Sequence, residues 1–244
     1  MRFVARSTNI PIPSVWMSFK WRSMEYIMMS RMPGVPLEDI LRNSKDGTVE
    51  YQETILEQLC CFVAQLRSLK SPYDTSICLV LGGSIYDQRL RAYDLAGPYK
   101  DEQHMNLQLC NAYPLERLPD NIIPFLVKLH PIVFTHGDIT PRNIIMEGNR
   151  ITLIDWESAG WFPAHWEFCK ARFSSWGPSA HIWDNWIPMV IPPFELEFAV
   201  DTYLCTEGSI PHRDWTTPEN IALAAARPHY TPPQFRGISP SISS

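Results

Sequence analysis

The chain has 244 residues, 45% of them hydrophobic, and a formal charge of −5. That is enough apolar material for a sizeable core, in one large domain or two small lobes. The mild acidity and the lack of Lys/Arg runs give a nucleic-acid partner no support, and no apolar run reaches the length of a membrane span.

Six cysteines (Cys60, Cys61, Cys78, Cys110, Cys169, Cys205) show no C-x-x-C spacing, and no signal peptide opens the chain. Reduced thiols in a cytoplasmic protein are the simplest account. In chain order, "MRFVA" reads as the last turns of a helix. "NIPIPSV" must be extended, because proline disfavours helix at itself and at the residue before it. "MEYIMMSRMPG" reads as a buried strand ended at Pro33-Gly34. From Val49 to Leu69, the residues Ile55, Leu59, Phe62, Val63, Leu66 and Leu69 recur every three or four positions, the period of a one-sided buried helix. Residues 71–118 are irregular, with loop and short-helix material. "DNIIPFLVKL" is a short helix despite Pro124. Beyond Phe173, Trp/Pro loops alternate with helix candidates at 194–205 and 217–226, and the tail "RPHYTPPQFRGISPSISS" is loose.

The stretch "FTHGDITPRNIIMEGNRITLIDWE" (134–157) carries the chemistry. "NIIM" and "ITLI" flank a turn composition, Glu147 to Arg150, and so read as an antiparallel hairpin centred near Gly148. The pairing sum is then about 297, which sets Asn143 and Asp155 across from each other at the open end. Two oxygen-bearing side chains there can share a hard cation such as Mg²⁺. Asp138, on the loop entering the hairpin, is placed to accept a proton from an incoming hydroxyl.

The pattern His136-x-Asp138-x-x-x-x-Asn143, followed by a hairpin and Asp155, resembles the catalytic loop and metal aspartate of the protein-kinase-like fold. The "HGD" and "IDWE" forms, with "IPIPSVW", "MSRMPGVPL" and "GPYKDEQHMNLQL", resemble the aminoglycoside phosphotransferase family, and in particular its fungal branch, over residues 1–205. Chance yields one H-x-D-x-x-x-x-N match in such a chain about 0.01 times.

The resemblance implies an α+β, protein-kinase-like fold, mainly the helical C-terminal lobe with a remnant of the N-terminal sheet. It implies a boundary near 32, a C-terminal lobe over 33–226 and a Pro/Ser-rich tail over 227–244. It implies Asp138 as catalytic base or hydroxyl-orienting residue, Asn143 and Asp155 as Mg²⁺ ligands, and His136 as a structural brace. Met29, Ser30 and Met32 would lie along the adenine of ATP. The acceptor would be a small-molecule hydroxyl, with no nucleic acid and no membrane involved.

The family's Gly-rich loop and strand Lys, which position the phosphates, have no counterpart: none of the 11 glycines forms G-x-G-x-x-G and Gly34 is the first. The expectation is a small lobe largely missing and transfer impaired, through truncation or in a genuinely short protein. The alternative function is a catalytically silent module that binds a small ligand or a protein partner. A metal-dependent hydrolase built on Asp138 and Asp155 would need further ligands. Trp156, Trp161 and Trp166 read as core anchors, Glu157 and Glu167 as structural partners, Asp87 and Arg91 as partners of each other, and Arg142 as a solvated loop residue.

Overall fold

The computed structural model describes residues 1–44, 49–87, 96–110, 123–175, 177 and 179–206. It opens with helix α1 (Arg2–Ser7) and the extended segment the prolines demand, then a hairpin of β1 (Val15–Trp21) and β2 (Met24–Met29). β3 (Val35–Pro36) leads into α2 (Leu37–Asn43) and the long α3 (Gln52–Ser68). β4 (Cys78–Leu79), α4 (Glu102–Cys110) and α5 (Ile123–Val127) follow, then β5 (Ile132–Thr135), β6 (Ile144–Glu147), β7 (Arg150–Leu153) and β8 (Gly160–Pro163). Helices α6 (Trp166–Phe173), α7 (Ala180–Val190) and α8 (Glu195–Thr206) complete the described chain. The mixture is α+β, with three small antiparallel sheets among the described residues: β1-β2, β3-β6-β7 and β4-β8-β5.

Periodicity builds α3 as read: Ile55, Leu59, Phe62, Val63 and Leu66 are all buried. They share a core with Phe134, Trp161, Leu153, Trp183 and Ile187, so α3 joins the β5 sheet, the β6-β7 hairpin and α7. Trp156, Trp161 and Trp166 are buried anchors. Gly34 is required where β3 meets β6: at φ +105°, an added Cβ would sit 2.2 Å from the Met146 carbonyl oxygen.

Among the elements that the sequence reading does not include are β1 beyond Val15 and α7, and one element, β2, differs in its burial. The turn from β1 to β2 uses Arg22 and Ser23, both with positive φ, in place of the glycine or asparagine that usually marks such a tight hairpin. α7 hides in a Trp/Pro-rich segment, although Ile182, Trp183, Trp186, Ile187 and Val190 carry the buried stripe of a helix. β2 is a strand but not a buried one: among the described residues only β1 pairs with it, and Ile27, Met28 and Met29 are exposed. The helix candidate at 217–226, the tail and Arg91 lie outside the described residues. Asp87 is buried and pairs with Lys170 at 3.0 Å.

Candidate functional site

β5 runs out of the core into His136, Gly137 and Asp138. His136 is fully buried. Its Nδ1 accepts the Asp138 backbone N–H at 3.2 Å, so the ring proton sits on Nε2 and is donated to the Ile154 carbonyl at 2.9 Å. Its ring lies 4.4 Å from that of Trp156. One neutral tautomer thus satisfies both nitrogens, and burial holds the imidazole pKa down at about 4.

Gly137 takes φ +79° and passes so close to Ser158 that a Cβ would lie 2.4 Å from the Ser158 carbonyl oxygen. From below, the Glu167 carboxylate on α6 accepts the backbone N–H of His136 at 2.6 Å and that of Gly137 at 3.1 Å. Burial pushes the Glu167 carboxyl up, opposed by those N–H groups and by the Arg67 charge. Arg67 in turn donates to the Ala164 carbonyl at 2.8 Å.

The loop then delivers Asp138, whose side chain is 16% exposed. A 3₁₀ turn over Pro141–Asn143 swings Asn143 back, so that its Nδ2 donates to Asp138 Oδ2 at 2.7 Å and to the Asp138 carbonyl at 3.0 Å. Arg142 reaches the same carboxylate at 3.2 Å, although 61% of its side chain is exposed. Asp138 is therefore held from two sides and open on a third.

The hairpin has the expected pairing sum of 297, from Ile144↔Leu153 to Glu147↔Arg150. At that register Asn143 stands opposite Ile154, whose N–H donates to the Asn143 carbonyl at 3.0 Å. Asp155 is one residue further, not directly across. It is exposed and takes a left-handed φ of +62°. The direct Asn143–Asp155 pairing expected from the sequence is thus replaced by adjacency around Ile154, while Asn143 turns its amide toward Asp138.

The remaining predicted residues lie where β2 ends. Met29 is exposed. Ser30 is bound back to Ser14, donating its N–H to the Ser14 carbonyl at 2.9 Å and accepting the Ser14 N–H on Oγ at 2.8 Å. Its Oγ also lies 3.9 Å from Met32 Sδ. The β3-β6 pairing ties the segment after Met32 to the hairpin. Beside the loop, a pocket of about 300 Å³ is lined by Thr140, Pro141, Arg142, Glu38, Ser179 and Trp183, among others. Sequence reasoning missed the Arg142 clamp and the way Glu167 holds the loop. Gly137 and Glu167 lie 30 positions apart, which leaves no local signal for that contact.

The profile of a phosphotransferase enzyme family, APH, matches residues 4–191. The chain belongs to this family. The APH assignment agrees with the fold. An apo thermostable mutant of aminoglycoside phosphotransferase APH(4)-Ia superposes with a TM-score of 0.53 at 16% identity, covering 84% of this chain and 71% of that one. A ternary complex of a thermostable mutant of the same enzyme with ADP and hygromycin B gives 0.57 at 14% identity, with the same coverage. Its complex with AMP-PNP and hygromycin B gives 0.55 at 15% identity, over 84% of this chain and 70% of that one. At these identities the likeness establishes the kinase-like fold alone. No curated protein matches this chain by sequence. Among the described residues, no helix is long and apolar enough to cross a membrane.

Proposed function

We propose that the chain moves the γ-phosphoryl group of ATP to a hydroxyl of a small molecule, weakly for want of a Gly-rich loop and strand Lys over the phosphates, with Asp138 as the residue that orients and deprotonates that hydroxyl. The observation that carries this reading is the clamped Asp138 carboxylate. Its oxygens are fixed by Asn143 and Arg142, and its backbone is fixed through buried His136. Such rigidity suits phosphoryl transfer, where positioning supplies most of the catalysis. In the step, the acceptor oxygen bonds to phosphorus, the bond from phosphorus to the ADP oxygen breaks, and the hydroxyl proton passes to Asp138.

Asn143 and Asp155 fit a Mg²⁺ ion. The amide nitrogen of Asn143 is spent on Asp138, so its remaining side-chain ligand atom is an oxygen, and Asp155 offers an exposed carboxylate. This is a hard-oxygen donor set, which leaves room for water and phosphate. When bound, the ion would offset the charge developing on the phosphate oxygens. Met29, Ser30 and Met32 would border the adenine. Because the Ser30 N–H is taken by Ser14, Ser30 would contribute its carbonyl there. The pocket beside Thr140 and Arg142 is the candidate acceptor region, and ADP and hygromycin B in the APH(4)-Ia complex are the chemical precedent for the two ligands.

The test is thermal shift with millimolar ATP, with and without Mg²⁺, followed by ADP release across a panel of hydroxyl compounds. At about 100-fold above Kd, binding to the folded state should add roughly 2.7 kcal/mol. The Mg²⁺-dependent part should vanish in Asp155→Asn, and turnover should vanish in Asp138→Ala. Turnover that survives Asp138→Ala would remove that residue from the chemistry.

A further inference from the structure

At the opposite end of β5 from the Asp138 loop lies a second polar cluster, roughly 20 Å of extended chain from His136. Its members come from four elements: Glu102 from the first turn of α4, His130 just before β5, His165 at the start of α6, and Glu197 in α8. The side chains of Glu102, His130 and Glu197 are more than nine-tenths buried. We propose that Glu102, His130 and His165 form a binding site for a divalent transition-metal ion of the Zn²⁺ type, with Glu197 orienting His130.

The geometry carries this in three ways. First, one ligand atom from each of the three residues lies within 4.8 Å of the others. His165 Nδ1 and Glu102 Oε1 are 3.6 Å apart. Zinc bonds of about 2.0–2.2 Å in a tetrahedron place neighbouring ligand atoms about 3.4 Å apart, so this edge is close to formed. The His130 Nδ1 to Glu102 Oε1 separation of 2.7 Å is a hydrogen bond. Metal binding would replace its proton and open that edge by less than an ångström.

Second, the surrounding contacts are already in place. His130 Nε2 lies 3.2 Å from Glu197 Oε1, the carboxylate–histidine–metal arrangement that fixes a ligating ring. Glu197 is itself paired with Lys128. The other Glu102 oxygen accepts the His130 backbone N–H at 2.6 Å, which sets the carboxylate plane. Phe194 packs against both imidazoles and covers the apolar side.

Third, the donor set selects the ion. Two imidazoles and one carboxylate suit Zn²⁺ and its first-row neighbours and do not suit Mg²⁺. Three protein ligands leave a fourth position for water. The rival arrangement is a metal-free ion network, in which doubly protonated His130 bridges Glu102 and Glu197.

The experiment uses the full chain after chelator treatment, titrated calorimetrically with Zn²⁺ and spectroscopically with Co²⁺. The expected result is one equivalent bound, a raised Tm, and the intense visible Co²⁺ bands of a four-coordinate site without thiolate charge transfer. Glu197→Gln, which removes no ligand atom, should weaken binding about 10–100-fold, and His165→Gln should abolish it. Asp155→Asn and Cys61→Ser should leave it intact, separating this site from the Asp138 region and from an exposed thiol. The absence of stoichiometric binding in the unaltered chain establishes the ion network and overturns the proposal. So does binding that survives His165→Gln, or binding lost in Cys61→Ser. If His165→Gln fails to fold, undiminished affinity in Glu197→Gln overturns it in the same way.

Discussion

His136 is the group through which mild acid should weaken this fold. In the unfolded chain its pKa is near 6.5, and in the folded chain burial lowers it to about 4. The unfolded state therefore takes up a proton first as pH falls, so stability is lost from about pH 6.5 down to about pH 4. The full lowering is worth roughly 3 kcal/mol. Between pH 7.5 and 4.5 roughly 2–3 kcal/mol of it should be lost, a large part of a typical domain's stability. Geometry supports the sign independently. Protonated Nδ1 would face the Asp138 N–H, leaving two donors opposed in a buried space. Glu167 works the other way, since its raised carboxyl takes up a proton in the folded state as pH falls. The quantity to measure is therefore a difference: urea-unfolding free energy of the unaltered chain and of His136→Gln at pH 7.5, 6.5, 5.5 and 4.5. The unaltered chain should lose roughly 2–3 kcal/mol more than the variant over that range. Parallel pH profiles would refute the reasoning, because a ring that titrates normally cannot be buried as a neutral brace.

Further outcomes follow from the same contacts. Gly137→Ala should cost at least about 2 kcal/mol in denaturant melts, from the left-handed φ of +79° and the 2.4 Å approach to Ser158. Glu167→Gln leaves one acceptor oxygen beneath two N–H groups and turns an NH₂ toward the other; it should cost about 1–3 kcal/mol and lower ATP turnover. In the β1-β2 hairpin Met17 and Met28 are cross-strand partners and both are exposed. Met17→Glu with Met28→Lys should change stability by no more than about 0.5 kcal/mol while reducing light scattering at high protein concentration.

The parts legible in the sequence were those governed by local pattern. The α3 stripe and the β6-β7 register follow from residue spacing, and the H-x-D-x-x-x-x-N run marks the loop. What escaped depends on contacts across the chain. The register sum of 297 was correct, yet a sum of 298 for Asn143 and Asp155 is one residue off, and one residue in a strand changes which partner is faced. Glu167 is a single acidic residue at the start of a helix until α6 folds beneath Gly137. β2 reads as buried because its residues are apolar, but exposure is decided by what packs on a strand, and β1 alone does so among the described residues. Asp87 reads with Arg91, which lies outside the described residues; its described contact, Lys170, is 83 positions away and leaves no local signal.

The backbone at Asp155 restricts what this position can become. A φ of +62° is comfortable for glycine, asparagine and aspartate and costly for other side chains. Of those three only aspartate carries charge. A drift to asparagine would leave the trace of the chain, its packing and its melting temperature almost unchanged while removing the carboxylate proposed to hold Mg²⁺. Loss of activity in a relative of this chain could therefore be invisible in its shape and recorded in one atom, the second carboxylate oxygen at this position.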